Sequence, residues 1–216
     1  MREKITLSGV VLSARPVGEY DRRLVILTKE RGRITAFAHG ARRSGNALMA
    51  VSNPFVFAEF TLYEGRDAYS LISAVTADYF TDLAAMLPGV FYGYYFLEMA
   101  DYFGREGVEA AEEVNLIYVT LKAVMRGELP LPLVRAVFEI RMLSINGEYA
   151  PPEENGRYGM AAYSLLIHAC SGPLTRLYAF AASKEAQAEF EKAASEAVRV
   201  RTDRRFKSLA VIEKIE

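Results

Sequence analysis

The first 76 residues are cut into strand-length pieces by turn signals, and the pattern becomes helical once the chain passes Asp78. Five segments are rich in β-branched or aromatic residues: Thr6–Arg15, Arg22–Thr28, Gly32–Ala41, Phe55–Glu64 and Ala68–Thr76. Turn chemistry bounds them at Pro16-Val17-Gly18-Glu19, Lys29-Glu30-Arg31-Gly32 and Glu64-Gly65-Arg66-Asp67. Five strands with one longer connection, Arg42–Pro54, between the third and fourth follow the order of an OB-type barrel. Alternation in the third strand places Ile34, Ala36 and Ala38 on one face and Arg33, Thr35, Phe37 and His39 on the other. The small set suits a tight barrel interior.

Beyond Asp78 the spacing predicts an aromatic-rich helix opened by Pro88 and ending at Gly104, then helices over Glu109–Arg126 and Leu131–Ile145. Residues 148–160 hold two prolines, two glycines and three acids and read as a loop. Ala161–Cys170, Lys184–Arg201 and Asp203–Ile215 complete the helical part. The expected architecture is α+β, a five-stranded OB-type barrel over residues 1–77 followed by an α-helical domain over 78–216.

Charge divides the same way. Through Thr76 there are 11 Lys/Arg and 7 Asp/Glu, whereas the rest has 15 and 20, in a chain whose total is -1. Between Arg15 and Arg43 eight basic residues face three acids. A nearly neutral protein that concentrates positive charge in its β-rich part points to a polyanionic partner. Apolar residues make up 51% of the chain, enough for a core, and charge or glycine interrupts every apolar stretch before 18 residues. No membrane span or leader is expected, and a cytoplasmic location follows. Cys170 is the only cysteine, so no intrachain disulfide and no cysteine-based zinc site can form, and no metal or other cofactor is expected.

No constellation of reactive groups supports an enzyme. His168 and Cys170 are two residues apart, a spacing that on a helix sends them to different faces. Gly40-Ala41-Arg42-Arg43 lacks the spacing of a phosphate-binding loop, and the adjacent pairs Glu112-Glu113 and Glu153-Glu154 are poorly placed for acid–base work. What remains is a basic barrel surface with aromatic rings, the combination with which OB folds hold nucleic acid. Arg15, Arg22, Arg23, Arg33, Arg42, Arg43 and Arg66 are candidate phosphate contacts, with His39 beside them. Phe37 and Tyr63 are either base-stacking platforms or rings that pack the barrel. Arg42 and Arg43, followed by a flexible Ser-Gly-Asn-Ala segment, have little structural purpose in this reading.

Several segments in order resemble one family. Gly18-Glu19-Tyr20-Asp21 and Thr28-Lys29-Glu30-Arg31-Gly32 near the start, residues 38–44 (AHGARRS) and residues 54–71 come first. Phe138-Glu139-Ile140-Arg141-Met142-Leu143 before a Gly147-x-Tyr149-x-Pro151 turn, and Asp203-Arg204-Arg205-Phe206-Lys207-Ser208-Leu209, follow. Together they resemble the RecO family of bacterial recombination mediators over the whole chain. The resemblance implies a non-enzymatic, nucleoid-associated role in DNA damage repair. It implies binding and annealing of single- and double-stranded DNA, contact with the acidic C-terminal tail of single-stranded DNA-binding protein (SSB), and action with RecR to load RecA. It also implies a four-cysteine zinc module after the Gly-x-Tyr-x-Pro turn, from which this sequence departs. A tail that is acidic and apolar needs a groove with a basic rim, for which Arg135, Phe138 and Arg141 are the candidates. The two arginines have an alternative role in pairing with Glu139. The alternative function is an adaptor whose helical domain binds another protein.

Overall fold

The computed structural model describes residues 3–151, 153 and 156–215. Its N-terminal part is a closed barrel of five strands, β1 (Lys4–Val17), β2 (Asp21–Thr28), β3 (Gly32–Ala38), β4 (Phe57–Glu64) and β5 (Tyr69–Asp78), in the order β1-β2-β3-β5-β4. Antiparallel pairing joins every neighbour except β3 and β5, which close the barrel in parallel through Ala36–Tyr69 and Phe37–Ser70. The alternation expected for β3 holds: Ile34, Ala36 and Ala38 are at most 1% exposed. They share the interior with Leu24, Ile26, Phe60 and Leu62. β3 stops three residues earlier than expected, because His39 and Gly40 turn the chain away. The long connection that follows carries a four-residue helix, α1 (Leu48–Val51), whose Leu48 and Val51 join the barrel core.

The helices are α2 (Gly89–Phe103), α3 (Ala111–Arg126), α4 (Leu131–Ile145), α5 (Met160–Ser171), α6 (Lys184–Arg201) and α7 (Lys207–Ile212). Local chemistry sets their ends. Pro132 sits in the first turn of α4, and Asn146 caps its end before Gly147 takes a positive φ of 73°. Ser183 accepts the Ala186 N–H at the start of α6, while Arg199 and Arg201 lie in its last turn. α7 is shorter than the helical segment expected over Asp203–Ile215. Of the loop at 148–160, positions 152, 154 and 155, which include one member of the Glu153-Glu154 pair, lie outside the described residues.

The chain forms two compact units that differ from a simple cut at residue 77. One contains the barrel through Thr81 together with Leu97–Val114, and the other contains Asp82–Phe96 and Asn115–Glu216. In the first unit the α2–α3 connection clasps the β2–β3 turn. Arg33 N–H donates to the Arg105 carbonyl (3.1 Å), Gly107 N–H to Arg31 (3.0 Å) and Ala110 N–H to Lys29 (2.9 Å). Gly32 is required there, since its φ is 62° and a Cβ would meet the Arg105 carbonyl oxygen at 2.1 Å. In the second unit α4 is central, packed by α5 and α6. Phe138 of α4 lies 4.5 Å from Phe96 between ring centroids, and Tyr95 meets Phe206 edge-on at 5.6 Å.

Candidate nucleic-acid interface

Strand register gathers part of the nominated set into one row. Arg15 of β1 is opposite Arg23 of β2, Arg23 is opposite Phe37 of β3, Phe37 neighbours Ser70 of β5, and Ser70 is opposite Tyr63 of β4. All face outward, because alternation has already committed Leu24, Ala36 and Leu62 to the interior. Arg15 and Arg23 are exposed, and Phe37 is half-buried. Two like charges opposite each other across a strand pair repel, so they gain from an anion lying between them. Arg23 makes one long contact with the Thr35 hydroxyl (3.4 Å), and Tyr63 is 37% exposed.

His39 and Arg43 extend the row at one end. The His39 ring lies nearly parallel to Phe37, 6.4 Å between centroids. Its Nδ1 is 2.8 Å from Asp21 Oδ2, while Asp21 Oδ1 accepts the Gly40 N–H at 2.8 Å. The Gly40 N–H, with His39 and Arg43 adding to it, holds the Asp21 carboxyl below its ordinary range. The His39 side chain is 64% exposed. Arg43 lies over the Tyr20 ring at 4.3 Å, and Tyr20 is itself exposed. Arg66 is exposed on the β4–β5 turn.

Three other barrel arginines, Arg22, Arg33 and Arg42, are engaged within the protein. One terminal nitrogen of Arg22 lies within hydrogen-bond distance of the carbonyls of Met49 and Ser52 (3.2 Å each), the Ser52 hydroxyl (3.0 Å) and Asn53 Oδ1 (2.8 Å). It satisfies the end of α1, where helical carbonyls lack intrahelical donors. Arg33 is ion-paired with Asp101 at 2.5 Å, beneath the α2–α3 clasp. Arg42 has the structural purpose that the sequence reading denied it: it donates to the carbonyls of Gly18 (3.3 Å) and Glu19 (3.0 Å) and ties down the β1–β2 turn. Sequence alone marks all of these as basic and equivalent.

The helical candidates separate in the same manner. Phe138 is fully buried and offers no surface, and Arg141 is 9% exposed. The Arg141 guanidinium donates to the carbonyls of Cys170 and Gly172, closing the C-terminal end of α5. Both are therefore withdrawn as tail contacts, for simple lack of access. Arg135 differs. It lines a cavity of about 630 Å³ with Val198 and Arg199 of α6, Arg204, Phe206 and Leu209.

The four-cysteine zinc module implied by the resemblance lacks its cysteines here, since Cys170 is the one cysteine of the sequence. Cys170 is buried in α5, where loss of solvent pushes its thiol up to about 11, and His168 Nε2 lies 3.1 Å from the Leu177 carbonyl oxygen. Among the described residues no group of three or more His, Cys, Asp or Glu could hold a metal ion, and no helix is long and apolar enough to cross a membrane.

Comparison with known proteins agrees with this architecture. The family described as Recombination protein O N terminal matches residues 1–80, the barrel itself. DNA repair protein RecO of Alkaliphilus metalliredigens is 34% identical over 66% of this chain and 58% of its own length. That of Acetivibrio thermocellus is 34% identical over 67% and 57%. In both the match spans less than two thirds of the relative. That of Symbiobacterium thermophilum is 26% identical but spans 94% of each chain, barrel and helices together. Residues 1–80 thus match the N-terminal domain of the RecO family, and along nearly its whole length the chain is similar to a RecO protein.

Proposed function

We propose that this chain is a non-enzymatic mediator of DNA repair and recombination that binds single- and double-stranded DNA on the outer face of its barrel. The observation that carries this reading is the row Arg15–Arg23–Phe37, which offers two adjacent cations and a ring on one surface. The cations supply phosphate contacts and the ring a stacking platform, with His39, Arg43 and Arg66 at the margins. A surface of this kind tolerates any sequence, as annealing of complementary strands requires. The names of the relatives support a repair role.

Within this reading the helical unit captures the SSB tail, and with RecR the protein assists RecA onto SSB-coated strands. The cavity between α4, α6 and α7 suits such a tail. Val198, Phe206 and Leu209 receive its apolar end, while Arg135 and Arg204 meet its carboxylates. Fluorescence anisotropy with single- and double-stranded oligonucleotides at two salt concentrations tests DNA binding. Affinity falling steeply with salt is expected, since each neutralised phosphate contributes a slope of about -0.9 for duplex and -0.7 for single strands. A flat response would favour the adaptor function, with the barrel as a scaffold.

A further inference from the structure

An acid lies at the floor of the α4–α6–α7 cavity. Glu139 is 1% exposed; its Oε1 accepts the Tyr95 hydroxyl proton at 2.7 Å and lies 3.7 Å from Arg135 Nε. Its Oε2 is buried and has no hydrogen-bond partner among the described residues. A buried carboxylate oxygen left without a partner is costly, and protonation relieves it. Burial pushes the Glu139 carboxyl up to about 7, against the opposing pull of Arg135 and then of the Tyr95 hydrogen bond.

The other charged groups facing this cavity are Arg199 from α6, Asp203, Arg204 and Arg205 from the α6–α7 connection, and Glu213 just past α7. α5 contributes none to its lining. Arg199 is already paired with Glu196 at 2.6 Å and Arg205 with Glu213 at 3.1 Å. Arg204 also lines the cavity, but Arg135 is the guanidinium beside Glu139, so a carboxylate that reaches Arg135 shares it with Glu139. Two carboxylates beside one guanidinium, in a site the ligand has closed to water, favour the neutral form of the weaker acid. Glu139 is that acid, since an ordinary aspartate titrates near about 3.9. Once protonated, Oε2 becomes a donor that the incoming carboxylate can accept.

We propose that an acidic peptide entering this cavity draws a proton from solvent onto Glu139 as it binds. The coupling rests on the tail-capture reading above and adds regulation to it. Its sign follows from linkage. Because the bound peptide raises the Glu139 pKa above its value in the free protein, affinity is full below the free value and declines as pH rises through it.

The test is calorimetry of the full chain with a synthetic peptide of aspartates ending in a free phenylalanine, in two buffers of different ionisation enthalpy. Wild type is expected to lose about tenfold in affinity between pH 6 and pH 8, and to take up about one proton per peptide at pH 8. Glu139→Gln keeps the Oε1 acceptor for Tyr95, so it should bind with little dependence on pH or buffer. Equal wild-type affinity at both pH values, or a pH dependence retained by Glu139→Gln, overturns the coupling and leaves tail capture standing. No binding even at pH 6 overturns capture and the coupling with it.

Discussion

On the barrel, Arg15 and Arg23 stand side by side across β1 and β2 with their side chains in solvent. In the helical unit Arg141 is buried beneath the end of α5, its guanidinium divided among backbone carbonyls. The difference comes from periodicity. A barrel strand must send every second residue outward, so charge placed on that phase is available to a ligand. α4 has no such phase: Leu133, Val134 and every residue from Ala136 to Leu143 are buried. On a helix buried over most of its length charge alone does not mark an interface: Arg141 is engaged by backbone carbonyls, whereas Arg135 and Glu139 line a cavity.

The comparison breaks most visibly at Phe138. Truncating this buried ring to alanine should destabilise the fold by about 3–5 kcal/mol, read as a lower denaturant midpoint. A variant with a wild-type midpoint would mean that Phe138 has the exposure an interface residue needs. On the barrel side, Phe37→Ala should weaken single-stranded DNA binding by about 1–3 kcal/mol, the range for a lost stacking platform. Loss of stability with unchanged affinity would instead make Phe37 a packing residue. The smallest effect concerns metal. Without cysteine pairs after Pro151, a chelator should leave the melting temperature unchanged, whereas stoichiometric zinc in the purified protein would contradict the donor count.

Sequence made the order of elements legible where punctuation was strong. α4 begins after Pro130 and ends before Gly147, and α6 begins after the Ser183 cap, at the bounds the spacing predicts. α1 escaped because four residues are too few to show a period. The grouping of Leu97–Val114 with the barrel escaped for another reason: the backbone bonds that clasp the β2–β3 turn join residues far apart in the chain, and no local pattern encodes them. The candidate site was half legible. Composition marked seven barrel arginines, and register placed Arg15 and Arg23 beside Phe37. Nothing local to Arg22, Arg33 or Arg42 announces the carbonyls of α1, the Asp101 carboxylate or the β1–β2 turn that engage them. Those partners are tertiary.

Arg22 and Arg23 are adjacent, carry the same charge and differ only in which side of β2 they leave. The most direct measurement is therefore the salt dependence of duplex binding by Arg22→Ala and Arg23→Ala, each compared with wild type and with its own stability. Arg23→Ala should flatten the slope by about 0.9 with an unchanged melting temperature. Arg22→Ala should leave the slope intact and lower stability by about 2 kcal/mol, the scale of a lost charged hydrogen bond. If Arg22→Ala flattens the slope and Arg23→Ala does not, DNA does not lie along the Arg15–Arg23–Phe37 row.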